Sequence, residues 1–329
     1  MSFKAWRERL QSEPLAVVYG GHSNEREVSL ASGTAVASAL EGAGYEVRRV
    51  ELNGDFLKQV DTLRGYLCFV VMHGRFGEDG ELQGLLEERG VTYTGSAPEA
   101  SRDAMDKGAS KRIFQACGVP TPKYILVDRR APAGALGAES VPFPAVVKPA
   151  SCGSSIGVSV RVSRAGLNEA LERAFRHDDR VIVEEHIEGR ELTVGILGLR
   201  PLPVIELRTP RGFYDYEAKY SDEKTEYICP AKLDAGVTAE VQRAASAAYH
   251  SLACRDLGRV DVMLSADGAP TVLEVNTIPG FTSHSLLPMA AKAVGISFAE
   301  LCERILCFAL ARAAGARVAE EKGAWKAAS

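Results

Sequence analysis

Apolar residues in the first third of the chain alternate between two spacings. LAVVY (15–19) and GYLCFVVMH (65–73) are nearly continuous apolar runs, the pattern of strands buried on both faces of a parallel sheet. YEVRRVEL (45–52) and VTYTG (91–95) read as two further strands. Between them, EREVSLASGTAVASALEGAGY (25–45) and ELQGLLEERG (81–90) carry apolar residues at helical spacing, the first closed by Gly42 or Gly44. Strand and helix in alternation predict a parallel sheet flanked by helices, and so an N-terminal α/β unit over residues 1–97.

The texture changes after residue 97. MDKGASKRIFQACG (105–118) reads as a helix, PTPKYILV (120–127) and AVVKPA (145–150) as strands, and GLNEALERAFRH (166–177) as a helix. A Pro/Gly/Ala-rich excursion, DRRAPAGALGAESVPFP, separates the two strands. This predicts a central unit over 98–183. A third unit, 184–315, holds several strands, a long helix near 237–256, a hairpin and two C-terminal helices. Residues 316–329 read as a fraying helical tail. The class is α/β, with α+β character in the C-terminal half.

The hairpin, RVDVMLSADGAPTVLEVNT (259–277), carries charge among valines and leucines. Alternation puts Arg259, Asp261 and Met263 on one face, and Val272, Glu274 and Asn276 on one face of the second strand. If Asp267-Gly268 form a two-residue turn, Asp261 lies opposite Glu274 and Arg259 opposite Asn276. Two facing carboxylates repel unless a cation lies between them. Mg²⁺, which takes oxygen ligands, is one answer, and a solvated outer face is the other.

Composition narrows the field. Length favours more than one core, and 46% hydrophobic with 25% charged residues is ordinary for a globular protein. A net charge of −4 gives no footprint for nucleic acid or an anionic membrane. No apolar run approaches a membrane span, and the N-terminus lacks a signal-peptide core. Seven scattered cysteines without a C-x-x-C pair speak against disulfides or zinc and predict a cytosolic setting.

Several loops next to strands carry candidate chemistry. SCGSSIG (151–157) has the small, flexible residues that wrap phosphate oxygens, though it is not a P-loop. Lys148, inside the preceding apolar strand, needs a partner: a phosphate or a buried carboxylate. GGHSNEREVS lacks the dinucleotide fingerprint; Ser23 or Asn24 suits an N-cap there, and Glu25 suits the helix dipole. His22 and His73 both follow strands, where α/β ligand sites form. TPRGFYDYEAKYSDEKTEY (209–227) is long enough for a lid or a solvated loop. In NTIPGFTSHS (276–285) the Pro279-Gly280 turn can aim N–H groups at an anion, and Ser283 or Ser285 can cap the next helix.

Together GGHSNEREVSL, HGRFGEDGELQGLLE, MDKGASK, VVKPASCGSSIGVS, VEEHIEGRELTVGIL, FYDYEAKY, GRVDVML and LEVNTIPGFTSHSLLPMAA resemble the D-alanine–D-alanine ligases of the ATP-grasp superfamily, from about residue 15 to 310. The resemblance implies three domains with ATP between two antiparallel sheets, and ligation of two D-alanines through an acyl phosphate, for peptidoglycan precursor and cell-wall synthesis. It implies ATP contacts from Lys107, Lys148, Glu184, Ile187, Glu191 and Lys219, and two Mg²⁺ (or Mn²⁺) on Asp261, Glu274 and Asn276. It implies that Glu25 and His73 meet the first substrate, while Ser285 and Leu286 hold the second substrate's carboxylate. Ser154, Tyr220 and Glu25 would pin a lid (209–228), and Arg259 with the Gly280 N–H would stabilise the oxyanion. A homodimer is implied by family alone.

Two positions depart from the family's usual pattern. Cys152 sits in the glycine loop, with sensitivity to thiol reagents as the expectation, and His186 stands where a bulky apolar or aromatic residue is usual. The competing readings are a ligase that makes a D-alanine–D-lactate or D-alanine–D-serine product, and a nucleotide-binding module without ligase activity. Tyr220 favours the dipeptide former, and the presence of Arg259 and all three metal positions speaks against the inactive module.

Overall fold

A computed structural model of the chain describes residues 1–130, 140–209 and 225–319. Lys219, Tyr220, most of the 209–228 segment, the centre of the Pro/Gly/Ala-rich excursion and the tail from residue 320 lie outside the described residues.

Three sheets carry the described chain. The first is parallel, in the order β2 (Val47–Leu52), β1 (Leu15–Gly20), β3 (Leu67–Val70), β4 (Thr92–Tyr93). Helix α2 (Arg26–Gly42) covers one face and ends as expected, with Gly44 in the left-handed region at φ 92°. Its approach to β1 needs a glycine: a Cβ on Gly33 would lie 2.2 Å from the Tyr19 ring. Two short helices, α3 (Phe56–Asp61) and α4 (Glu81–Glu88), complete this layer, the second as expected from the sequence.

Helices α5 (Pro98–Met105) and α6 (Lys107–Ala116) lead into an antiparallel sheet in the order β5 (Tyr124–Asp128), β8 (Arg180–Glu185), β6 (Ala145–Pro149), β7 (Ser159–Val162). Helix α7 (Leu167–Phe175) packs on it. A second antiparallel sheet runs β11 (Glu226–Ile228), β10 (Arg200–Arg208), β9 (Gly189–Leu197), β12 (Leu257–Ser265), β13 (Pro270–Asn276). Helix α8 (Ala235–Ser251) covers it, with Tyr249 fully buried.

The polar opening of the chain, which shows no pattern of its own in sequence, is helix α1 (Phe3–Leu10). Trp6 and Leu10 bury it against the last helix, α10 (Phe298–Ala313). With α9 (Leu286–Ala293), α10 closes a core shared with α2 and β3, so the N-terminal sheet and the C-terminal helices form one apolar body. Between α10 and residue 319 the described chain is not helical: Gly315 turns it at φ 65° and Ala319 bridges to Ser2. Among the described residues no helix is long and apolar enough to cross a membrane.

The hairpin register corrects one expectation while preserving its consequence. Near the turn Leu264 pairs with Pro270 and Val262 with Val272, which makes the loop longer than two residues. A bulge between Asp261 and Val262 then restores the pairing of Asp261 with Glu274 and Arg259 with Asn276. The bulge also moves Val272 off the Glu274 face: Val272 and Val275 are both buried in the α8 core, while Leu273 turns to the same cleft as Glu274.

Candidate active site

Two adjoining clefts open where the three sheets meet. The larger, about 450 Å³, is lined by Glu25, His73, Arg259, Asn276, Gly280, Ser285 and Leu286. The smaller, about 180 Å³, is lined by Lys148, Glu184, Ile187, Glu191 and Asp261. Lys107, Ser154 and Glu274 line both. Every described residue expected at the site thus borders one or both of these adjoining clefts.

On the central sheet, Lys148 finds the carboxylate alternative among its two expected partners. Its Nζ lies 2.5 Å from Oε1 of Glu184, on the neighbouring strand β8. Lys111, one helical turn beyond Lys107, reaches the other oxygen at 2.7 Å and donates to Thr121 Oγ1 at 2.9 Å. Burial alone would push the Glu184 carboxyl up, but the two lysines hold it below the ordinary glutamate value. Burial pulls the Lys111 ammonium down to about 8, with Glu184 opposing the fall and Lys148 adding to it. Lys111 gives no signal in the sequence, because an additional lysine on a polar helix carries no pattern of its own.

The glycine loop folds over this sheet with Ser154 and Ser155, as well as Gly157, in left-handed conformations. For serine that backbone is strained and needs compensating contacts. Ser154 has one: its Oγ donates to Glu25, the residue at the start of α2. Glu25 occupies the N-cap position, yet its side chain makes no cap bond. Ser23, expected as a cap, instead donates from Oγ to the His73 carbonyl at 2.7 Å and accepts the Glu25 N–H at 3.2 Å. The loop's Cys152 carbonyl accepts from Lys107 Nζ at 2.8 Å. Burial raises the Cys152 thiol above its ordinary pKa, and the nearby Asp178 adds to this. The expected thiol sensitivity is therefore reduced, because the reactive species is the thiolate. His186 lines the smaller cleft with Nδ1 buried and unbonded among the described residues, and burial with Arg161 nearby lowers the ring's pKa below the ordinary histidine value.

The hairpin presents the opposite wall. Arg259 grips Asp261 through two parallel bonds of 2.9 Å, Nε to Oδ1 and Nη2 to Oδ2. Asp261 also accepts from Thr193 Oγ1 at 2.7 Å and Asn276 Nδ2 at 3.1 Å. Thr193 is fully buried on β9, opposite Asp261 in the sheet; only the three-dimensional pairing reveals it. Glu274 Oε2 lies 3.3 Å from Lys107 Nζ. Burial works against the Lys107 charge, but Glu274 lifts its pKa above the usual lysine value. Each cation thus borders a carboxylate, and the cleft wall is neutralised from within.

The remaining wall is the turn after the hairpin. Ser285 stands at the N-cap of α9, but its Oγ accepts the Thr282 N–H at 2.9 Å and makes no cap bond to the helix. His73 meets the same turn from the N-terminal sheet: Nδ1 is 3.0 Å from the Ile278 carbonyl, and Nε2 is 3.1 Å from Ser32 Oγ.

Comparisons with known proteins cover most of the chain. Residues 51–96 match the family model for the D-ala D-ala ligase N-terminus, and residues 113–307 that for the D-ala D-ala ligase C-terminus. A D-alanine–D-alanine ligase of Syntrophotalea carbinolica is 45% identical over 93% of this chain and 99% of its own. The enzyme of Alcanivorax borkumensis is 45% identical over 96% of this chain and 100% of its own. Among solved structures, the Bacillus anthracis D-alanine–D-alanine ligase complexed with ATP superposes with a TM-score of 0.82 at 33% identity, covering 92% of this chain and 99% of its own. The VanG D-Ala:D-Ser ligase of Enterococcus faecalis gives 0.79 at 31%, covering 90% of this chain and 99% of its own. With both family regions matched in order and relatives aligned nearly end to end, the chain belongs to the D-alanine–D-alanine ligase family.

Proposed function

We infer that this protein is an ATP-dependent ligase that joins two D-alanines into D-alanyl-D-alanine, the dipeptide used for peptidoglycan precursors. The observation that carries the reading is the pair of adjoining clefts bordered by lysines, paired carboxylates and the Gly280 turn, within a chain of this family. A carboxylate is a poor electrophile. Transfer of the terminal phosphoryl group of ATP to a carboxylate oxygen of the first D-alanine gives an acyl phosphate and ADP. The amine of the second D-alanine then attacks the carbonyl carbon, a C–N bond forms, and inorganic phosphate leaves with its bridging oxygen as the amine gives up a proton.

Lys107 and Lys148 supply positive charge for the phosphate chain, with the SCGSSIG loop around it and Glu184, Ile187 and Glu191 on the nucleoside side. Glu25 receives the first substrate's ammonium, with His73 alongside. Arg259 and the Gly280 N–H stabilise the tetrahedral oxyanion, where one such donor contributes roughly 3–4 kcal/mol. Ser285 and the start of α9, at Leu286, take the second substrate's carboxylate. Lys219 and Tyr220 join this reading as γ-phosphate and lid contacts from the sequence alone. A cytoplasmic homodimer completes it, on family grounds.

The hairpin donors fit magnesium. Two carboxylates and an amide, Asp261, Glu274 and Asn276, come from adjacent strands, and hard oxygen donors of this kind suit Mg²⁺ over softer metals. Among the described residues no three His, Cys, Asp or Glu side chains form a metal site, so this set depends on the Asn276 amide and on ligand oxygens. Mg²⁺ held there supplies charge neutralisation for phosphoryl transfer. Were Asp261 engaged by the ion, the Arg259 guanidinium donors would be available for the oxyanion.

The direct test is phosphate release from ATP with D-alanine, with L-alanine as control. D-alanine-dependent release with dipeptide product is expected; equal release with L-alanine overturns the reading. Rates with D-alanine, D-serine and D-lactate as second substrate then decide the product class, and faster turnover with D-serine or D-lactate would replace the dipeptide assignment.

A further inference from the structure

Ser32 lies on α2, fully buried, and does not line either cleft. Its hydroxyl nevertheless touches two groups that control the cleft wall. It accepts the Phe281 N–H at 3.2 Å and stands 3.1 Å from His73 Nε2. His73, itself 3% exposed, lies 3.0 Å from the Ile278 carbonyl through Nδ1. Elimination fixes the roles for a neutral ring. A carbonyl only accepts, so Nδ1 carries the proton and donates to Ile278. Nε2 is then an acceptor: the Ser32 hydroxyl donates to it while the same oxygen accepts the Phe281 N–H. The chain from the Ile278 carbonyl through His73 and Ser32 to the Phe281 amide closes a loop around Pro279 and Gly280. One helical turn earlier, Ser29 does the same for the strand ends, donating to the Val71 carbonyl at 2.7 Å and accepting the Gly20 N–H at 2.8 Å.

We propose that Ser32, acting through His73, is a positioning residue that clamps the Ile278–Phe281 turn and so aims the Gly280 N–H at the reaction centre. The inference rests on the reading of that N–H as an oxyanion donor. His73 thereby gains a second role. With both ring nitrogens engaged in the clamp, the neutral ring has no free lone pair with which to take a proton from substrate. Preorganised donors act only if their position is fixed before charge develops. A turn held at two points by buried hydrogen bonds meets that need, and a turn released at one of them does not.

The clamp acts on the bond-forming step and leaves phosphoryl transfer alone. Single-turnover rapid quench, with ADP and dipeptide measured separately, resolves the two. In S32A, ADP is expected to form within about threefold of the parent rate, while dipeptide formation slows tenfold or more, with KM for ATP unchanged. S32C, similar in volume and a weak hydrogen-bonding group, is expected to fall between and covers the case in which S32A does not fold. Equal slowing of both products, or no slowing of dipeptide, overturns the clamp. R259A in the same assay separates the clamp from the reading beneath it. Selective loss of dipeptide in R259A with none in S32A removes only the clamp, whereas parallel loss of both products in R259A removes the oxyanion assignment itself.

Discussion

The central sheet and the C-terminal hairpin each set a glutamate among apolar neighbours, and they dispose of its charge in opposite ways. Glu184 is enclosed: its side chain is 3% exposed and two lysines occupy its two oxygens. Glu274, at 24% exposed, faces open cleft with Lys107 alongside. The first arrangement is closed, because removing a member strands buried charge. The second is exchangeable, because solvent and ligand can take either partner. On the function proposed above, the site uses both kinds: a rigid charged floor and a wall whose ion pairs can be traded for phosphate and cation.

The contrast predicts effects of different kinds and sizes. The largest is on turnover. E274Q removes a charge from the exchangeable wall, and D-alanine-dependent phosphate release is expected to fall by at least ~100-fold, with a urea midpoint close to the parent's. A variant that loses stability and keeps activity would reverse the assignment of the two glutamates. Next comes E184Q, which leaves Lys111 and Lys148 facing an uncharged amide. It is expected to lower unfolding free energy by ~3–5 kcal/mol, read from urea denaturation at pH 7, and a change below ~1 kcal/mol would show that the floor is not closed.

A pH series sharpens the same point. The folded-state pKa of Glu184 lies below the ordinary value of 4.5, so near that pH the unfolded chain binds more protons than the folded one. The ionised carboxylate's contribution is complete above about 4.5 and fades as pH falls through the lower folded value. The stability gap between parent and E184Q is therefore expected to narrow on acidification below 4.5; a gap that widens there contradicts the sign. The smallest effect belongs to the hairpin's far end. Gly268 is left-handed at φ 85° with open space around its Cα, so G268A carries only the backbone cost, ~1 kcal/mol. The kcat should not move, since the bulge lies between turn and site; a large loss of activity would mean the register is set at the turn.

How much of the molecule is legible in its sequence depends on the range of the interaction. The strands of the first sheet, α2, α4 and α6 follow from local pattern, whereas β7 (Ser159–Val162) lies in a stretch that reads as loop and most candidate ligands come from the family resemblance. The pairing of Asp261 with Glu274 also follows, although by a different route from the one expected: a longer loop and a bulge shift the register in opposite senses and cancel. Glycine placement hints at turns, but no residue announces such a bulge. The partner of Lys148 stays open in sequence because a phosphate and a carboxylate satisfy the same ammonium. Lys111, Thr193 and Ser32 are invisible there for one shared reason: each is an ordinary residue of its element and gains meaning from a partner far away in sequence. Helix α1 is hidden because its polar run masks the apolar positions, Trp6 and Leu10, that carry its packing.

The apolar body shared by the first sheet and the last helices has a consequence for biosynthesis. Phe69 and Leu40 are covered in a core that includes Phe281, Ile305 and Leu306. On a ribosome the first sheet emerges some two hundred residues ahead of the helices that seal it. Its greasy side must therefore wait, shielded by other means, until translation is nearly over, and a stop codon falling before α10 would release a chain with that side still bare.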